Sequence, residues 1–534
     1  MDSFLDDIIK ADLSDGKVKK VITRFPPEPN GYLHIGHTKA ICLNYSLAVK
    51  YGGEYNLRFD DTNPLKEEDE YVRSMIEDIK WLGFEPSIFY ASDYFDIKYK
   101  CAVKLIKDGK AYIDDITAEE LRNTRGTLTE GGIESKHRNR PIAESLSLFE
   151  DMRSGKVLNG ALVLRAKIDM KSPNINMRDP VIYRVLKATH YRQGDKWCIY
   201  PMYDFSHPLG DAVEGITHSI CTLEFENHRP LYDWVIDNCW EGDSRPRQYE
   251  FARLNISRTI MSKRYLKALV DKGQVTGWDD PRMPTLAGLR RRGFTPAAIK
   301  KFCADIGVAK ADSQVDTAQL EFCIRDELNM TALRAMAVLD PLEIVLTNAT
   351  AEQLNFEVNP NAEKPRARKV SFGERLYIER SDFEVDPPPK YNRLTADGMV
   401  RLKNAYIIKC TGYEKDKDGK VIKVIAEIFP STKSGSDKSG IKVKGVIHWV
   451  NAADCVDAEV RLYDYLLNDG EGPFEERVNE NSLIVIQAKV EKYLGKAKKG
   501  DRFQFLRSGY FIRDSKEKDL VFNRIVGLKD GYKR

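Results

Sequence analysis

Pro26-Pro27-Glu28-Pro29-Asn30-Gly31-Tyr32-Leu33-His34-Ile35-Gly36-His37 is the stretch on which the fold turns. The β-branched run before it, residues 19–25, reads as a strand, and residues 34–51 read as a helix closed by Gly52-Gly53. A second strand over 55–59 ends on Asp60-Asp61, after which Tyr71, Met75, Ile79 and Leu82 recur at helical spacing opposite Glu and Asp. Strand, loop, helix, strand, helix is the opening of a parallel, doubly wound sheet, which places the chain in the α/β class.

The same twelve residues carry chemistry. Backbone N–H groups at a helix start face outward, and the helix dipole favours an anion there. His34 and His37 lie one turn apart on the same face, and Gly36 between them leaves room for a close approach. Two imidazoles at such a terminus suit a triphosphate in a crowded, charged transition state, which needs positioning and charge stabilisation rather than a strong base. The plainer alternative is a pair of polar residues capping a helix. Far along the chain, Ile260-Met261-Ser262-Lys263-Arg264 supplies a short loop in which Lys263 and Ser262 can hold phosphates. Alone it would be ordinary solvated charge; its meaning comes from being paired with the histidines.

Bulk properties bound the reading. A chain of 534 residues exceeds one core and implies several domains. The 84 basic and 81 acidic residues leave a net charge of +3, so a nucleic-acid partner must be held by local basic patches. The nine cysteines contain no C-x-x-C pair, which argues against a zinc ribbon and for reduced, buried thiols. The acidic start, Met1-Asp2-Ser3-Phe4-Leu5-Asp6-Asp7, lacks a signal-peptide pattern, and no apolar run is long enough to span a membrane. A cytoplasmic protein without membrane contact is expected. Residues 256–329 read as mostly helical and basic, whereas short alternating runs at 400–409, 421–429, 441–450 and 482–490 suggest β-barrel modules.

The His34–His37 and Met261–Arg264 elements, in this order, resemble the paired signatures of class I aminoacyl-tRNA synthetases. Residues 24–37, 57–64, 164–170, 197–205, 214–225, 277–293, 334–341, 444–450 and 522–528 narrow that likeness to the glutaminyl branch, and it spans nearly the whole chain. The resemblance implies a Rossmann-type catalytic domain in two halves, 1–92 and 202–255, parted by an acceptor-stem-binding insertion over 93–201. A helical subdomain over 256–331 and two β-barrel anticodon-binding domains over 332–534 complete it.

The resemblance also implies a reaction: ATP and L-glutamine give glutaminyl-adenylate, and glutamine then passes to the terminal adenosine of tRNA(Gln). In this family the first step requires the bound tRNA. Glu28, Pro29, Asn30, His34, Ile35, Gly36, His37, Thr38, Lys39 and Ala40 match an ATP-contacting segment, joined by Thr222, Arg253, Leu254, Met261, Ser262 and Lys263. His34, His37 and Lys263 are the expected catalytic trio. Asp60 matches the carboxylate that takes the amino group and Tyr203 the hydroxyl that reads the side-chain amide, with Arg24, Cys221 and Gln248 completing the glutamine set. Leu128 falls where the family wedges open the first acceptor pair, and Asn227 falls at an acceptor-stem contact. Arg334, Lys390, Arg393, Arg401 and Lys403 fall at anticodon contacts. For any one of these cations, solvated surface charge is the plain alternative. Mg²⁺ is expected with ATP, zinc is not, and a monomer is expected.

Three positions depart from the family pattern. Ile260 stands where many class I enzymes carry Lys, Asn227 where Asp is common, and Lys403 where Arg is common. The nearest rival is the glutamyl enzyme, which tends to place Arg where this chain has Cys221; a thiol cannot pair with a carboxylate but tolerates an amide. A small-molecule nucleotidyltransferase would have no use for the β-rich C-terminal third. An idle RNA-binding paralogue fits poorly with His34, His37, Asp60, Tyr203 and Lys263 all in place.

Overall fold

The computed structural model describes residues 2–65, 68–364, 366–468, 470 and 472–529, so Met1 and the last five residues of the expected barrel region lie outside the described residues. In chain order it opens with α1 (Phe4–Ser14), β1 (Ile22–Phe25), α2 (Ile35–Lys50), β2 (Glu54–Phe59), α3 (Asp69–Trp81) and β3 (Ser87–Tyr90). The three strands pair in parallel, β1 with β2 and β2 with β3. β1 is shorter than its β-branched run because β2 begins at Glu54, opposite Ile22, which leaves Lys19 and Lys20 exposed beyond the sheet. β2 is buried from Tyr55 to Phe59, as a central parallel strand must be.

The sheet resumes far downstream. Thr217 N donates to Ile22 O (3.0 Å), which sets the strand His218–Thr222 beside β1, and Arg247–Phe251 pairs with it in parallel. Residues between the two parts build a four-stranded antiparallel sheet from Ala111–Asp114, Val163–Ala166, Val181–Val185 and Ile199–Pro201. Its core gathers Phe95, Leu105, Phe149, Leu164 and Tyr200.

The chain forms two compact units, residues 1–256 with 303–315, and residues 257–302 with 316–534. In the first unit, 303–315 returns to the sheet region: Ala252 N donates to Ala309 O (2.7 Å), and Asn255-Ile256 pairs with Gln314-Val315. In the second unit two seven-stranded sheets follow the helices Lys263–Asp271, Leu286–Arg292 and Thr317–Thr331. The run at 400–409 is the turn of a hairpin, Met399–Leu402 into Ile407–Lys415, with Asn404 at φ 54° supplying the left-handed residue.

Each seven-stranded sheet curls until its ends meet. One begins with Leu333–Ala335 and ends with Ala337–Val338, parted only by Met336; the other has Val446–Ile447 and Trp449–Asn451 at its two ends, parted only by His448. The short stretch at 333–338 alternates strictly. Met336 and Val338 are buried in the core of the first barrel, around Trp449, while Ala335 and Ala337 are buried in the core of the second, around Phe505 and Phe522. No helix among the described residues is long and apolar enough to cross a membrane.

Candidate active site

His34 is the N-cap of α2 and His37 its third residue, and each closes the other's end of a capping box. Gly36 N donates to His34 Nδ1 and His34 N donates to His37 Nδ1, both at 3.1 Å, with the ring centroids 3.8 Å apart. Of the two alternatives left by the sequence, this is the helix-capping one. An Nδ1 that accepts a backbone N–H carries no proton, so each neutral ring holds its hydrogen on Nε2. Capping thus sets both imidazoles as Nε2–H donors at a positive helix terminus.

The neighbouring residues of the motif are built inward. Ile35 is buried, Thr38 Oγ1 donates to Ile35 O (2.6 Å), and Lys39 Nζ donates to Ala252 O (2.7 Å). Burial lowers the pKa of Lys39. Lys39 acts as a strut to the strand that leads into Arg253 and Leu254. Arg253 bonds Asn255 Oδ1 (2.9 Å) and pairs with Glu224, and Leu254 is buried. In the second unit Ser262 is the N-cap residue of the helix that begins at Lys263, and Met261 is half-buried. Ile260 packs with Leu266, Leu269, Met283 and Leu466, which is why an apolar residue stands there.

Asp60, at the end of β2, accepts from Thr62 Oγ1 (3.0 Å); burial raises its pKa against the pull of Lys98. Tyr203 opens the helix Tyr203–Val213 and stacks on His207 with centroids 5.0 Å apart. Burial holds its hydroxyl well above the usual range against the pull of Arg24, with Cys221, Asp60 and Asp204 acting in the same direction as burial. The Cys221 thiol donates to Tyr249 O (3.8 Å) and is pushed up to about 12 by burial, so it stays neutral. Gln248 Nε2 donates to Phe225 O (2.8 Å) and Glu250 Oε1 (2.9 Å), so the atom it can present is its carbonyl oxygen. Glu250 in turn grips Arg229.

Beneath lies a buried charge network of which sequence reasoning named Arg24 but not Arg58, His207, Asp211 or Lys98. Arg24 is fully buried: Nε donates to Asp211 Oδ1 (3.2 Å), Nη1 to Ile220 O (2.8 Å) and Nη2 to Ser219 Oγ (2.5 Å). All three of its nitrogens are engaged by protein groups. Arg58 donates to the same carboxylate (2.6 Å), and His207 sits with Nε2 2.6 Å from Arg24 and Nδ1 3.0 Å from Arg58. Burial, then the two guanidiniums, hold His207 well below its usual pKa against the pull of Asp211. Lys98, also fully buried, donates to Ala91 O (2.8 Å) and is lowered to about 7 by burial against Asp60. The signal that could have found these residues is polar side chains at core registers. Lys98 shares a helix face with Phe95, Ala102 and Leu105, all buried.

The expected RNA contacts fall into two kinds. Leu128 is 80% exposed on a polar turn, Asn227 lies on the 3₁₀ segment Leu223–His228, and Lys390 and Lys403 are exposed. Others are tied down: Arg334 donates to Ala332 O and Asn329 O, capping a helix C-terminus, and Arg401 donates to Thr432 O (2.7 Å) and Asp437 Oδ2 (2.5 Å). Arg393 pairs with the buried Asp382 (2.5 Å), which also takes two bonds from Arg507.

A helix terminus capped by two histidines beside a parallel sheet, with curled β sheets downstream, fits a class I tRNA synthetase, and the chain belongs to that family in its E and Q type. Residues 20–330 match the catalytic domain of the tRNA synthetases class I (E and Q), and 332–428 and 446–514 match two anticodon-binding domains of the same group. Among individual relatives, the glutamine–tRNA ligase of Clostridium kluyveri is 54% identical over 99% of this chain and 98% of its own. That of Clostridium perfringens is 56% identical, with the same coverage, and that of Clostridioides difficile 53% identical, again over 99% and 98%. ATP as a substrate follows from the family.

Proposed function

We propose that this chain is a glutamine–tRNA ligase. It joins L-glutamine to ATP as glutaminyl-adenylate and passes the glutaminyl group to the 3′-terminal adenosine of tRNA(Gln). The observation that carries this reading is end-to-end likeness, at over half identity, to proteins of that name. In the first step a glutamine carboxylate oxygen attacks the α-phosphorus and pyrophosphate leaves. His34 and His37 donate Nε2–H to the phosphate oxygens as charge builds there, and Lys263 adds a cation at a helix start. Asp60 takes the ammonium; a buried carboxylate whose charge is disfavoured gains most from an arriving cation. Tyr203 and the Gln248 carbonyl read the amide, and the neutral Cys221 offers a carboxylate nothing to pair with.

Leu128 and Asn227 meet the acceptor end, and Arg334, Lys390, Arg393, Arg401 and Lys403 belong to the anticodon-facing part. Mg²⁺ supplies charge neutralisation when it arrives on the nucleotide. Among the described residues no trio of His, Cys, Asp or Glu is placed to cage a metal, so it would be held chiefly by phosphates. The protein works in the cytoplasm as a monomer, catalytic halves 1–92 and 202–255 flanking the 93–201 insertion.

Pyrophosphate exchange with glutamine and with glutamate, each with and without tRNA(Gln), tests the reading. Exchange with glutamine plus tRNA alone is expected. Exchange with glutamate would make it the glutamyl enzyme and overturn the argument from Cys221.

A further inference from the structure

Arg178 is 3% exposed, and its guanidinium is spent on main-chain oxygens. Nε donates to Ser172 O (2.7 Å), and Nη1 lies 2.8 Å from Thr127 O, 2.8 Å from Glu130 O and 3.0 Å from Arg125 O. The last three carbonyls belong to one turn. Thr127 N donates to Glu130 O (3.0 Å), and Thr127 Oγ1 accepts from the N–H groups of Thr129 and Glu130. At its apex stands Leu128.

The turn tolerates little change. Gly126 has φ +78°, and a Cβ there would stand 2.5 Å from Glu130 O. An apolar side chain held into water by a turn tied from below has been placed there at a cost, since a slack loop would fold it inward. The segment that holds Arg178 also reaches Asn227. Asn174 Nδ2 and Asn176 Nδ2 both donate to the Asn227 main-chain oxygen, at 2.8 and 3.1 Å.

We infer that Arg178 is a positioning residue for opening the acceptor end. Through residues 172–178 it holds Leu128 in fixed relation to Asn227, so that both meet the RNA as one rigid surface. The inference rests on the proposed roles of Leu128 and Asn227. Unstacking a base pair costs free energy, and a wedge does that work only if it does not yield. Carbonyls converging from one turn need the directional donors of a guanidinium; an ammonium keeps the charge and loses the fork.

The test is aminoacylation of tRNA(Gln), and of the same tRNA with its first acceptor pair mismatched, by wild type, Arg178→Lys and Leu128→Ala. Arg178→Lys should lower kcat/KM on the paired tRNA roughly 10- to 100-fold, the scale of losing bonds to a buried charged group. On the mismatched tRNA it should return to within about threefold of wild type, with the KM values for ATP and glutamine unchanged. Equal loss on both tRNAs, or no loss on either, overturns the inference. Leu128→Ala separates it from the reading beneath: no loss on paired tRNA removes the wedge itself, whereas a loss with Arg178→Lys silent removes only the role of Arg178. Should Arg178→Lys fail to fold, Gly126→Ala decides, because it distorts the same turn while leaving the buried arginine in place and must give the same rescue.

Discussion

Replacing Asp211 by Asn should destabilise the first unit far more than its loss of one charge on a 534-residue chain suggests. The carboxylate is fully buried and accepts from Arg24 Nε (3.2 Å), Arg58 Nη2 (2.6 Å), Ser219 Oγ (2.7 Å) and Tyr232 OH (2.9 Å). Asn keeps the shape and one acceptor but takes its ion-pair partner from Arg24, 0% exposed, and leaves Arg58, 2% exposed, with Glu214. Removing one partner of a buried ion pair costs about 3–5 kcal/mol, and the retained amide places this case near the lower figure. Burial opposes the Asp211 charge, but Arg24 and Arg58 prevail and hold it far below the usual carboxylate range. A carboxylate depressed on folding stabilises above its unfolded pKa, and that stability is lost as pH falls below it. The variant should therefore lose stability at neutral pH and show a flatter acid limb. Denaturant-dependent amide exchange in β1 and the Tyr203–Val213 helix reports this unit alone. A loss under about 1 kcal/mol would refute the charge argument, as would failure of Arg58→Met to recover stability in the Asn background.

Lys98 acts in the same direction in a higher pH window. Its folded pKa is lowered to about 7, so between that value and 10.5 the unfolded chain binds the extra proton and stability rises with pH. Lys98→Met should flatten that rise between pH 7 and 9 in chemical denaturation, and an unchanged slope would mean the lysine stays charged. Lys263→Ala should cut adenylate formation roughly 10²- to 10³-fold while leaving the tRNA dissociation constant within about twofold, read by pyrophosphate exchange and filter binding. Equal loss of both would assign Lys263 to structure instead.

The first ninety or so residues were legible because their signals are long and strictly periodic. The sheet's continuation at His218–Thr222 was legible only through the resemblance that placed a second half at 202–255, since nothing local says that a strand pairs with one nearly two hundred residues earlier. The barrel strands were recognisable as a class, but Leu333–Ala335 and Ala337–Val338 are too short to show a period of two. In the site, His34, His37 and Tyr203 announced themselves by motif and resemblance. Arg58 and Lys98 did not: on a strand buried on both faces, or on an otherwise amphipathic helix, a lone cation reads as surface until its partner is seen. Arg334, Arg393 and Arg401 err the other way, legible as charge while their acceptors are not.

The stretch at 333–338 has a consequence for how the C-terminal part melts. With Met336 and Val338 filling one core and Ala335 and Ala337 the other, neither sheet can come apart without exposing side chains that belong to its neighbour. His448, at the seam of the first barrel, donates to Ala337 O at the seam of the second (2.9 Å), so the two closures also share a bond. Two modules that look separable along the chain should therefore behave as one cooperative folding unit, protected from exchange together and lost together. Cutting the chain between residues 428 and 446, where family boundaries invite it, should yield not two small barrels but two fragments that each lack a wall.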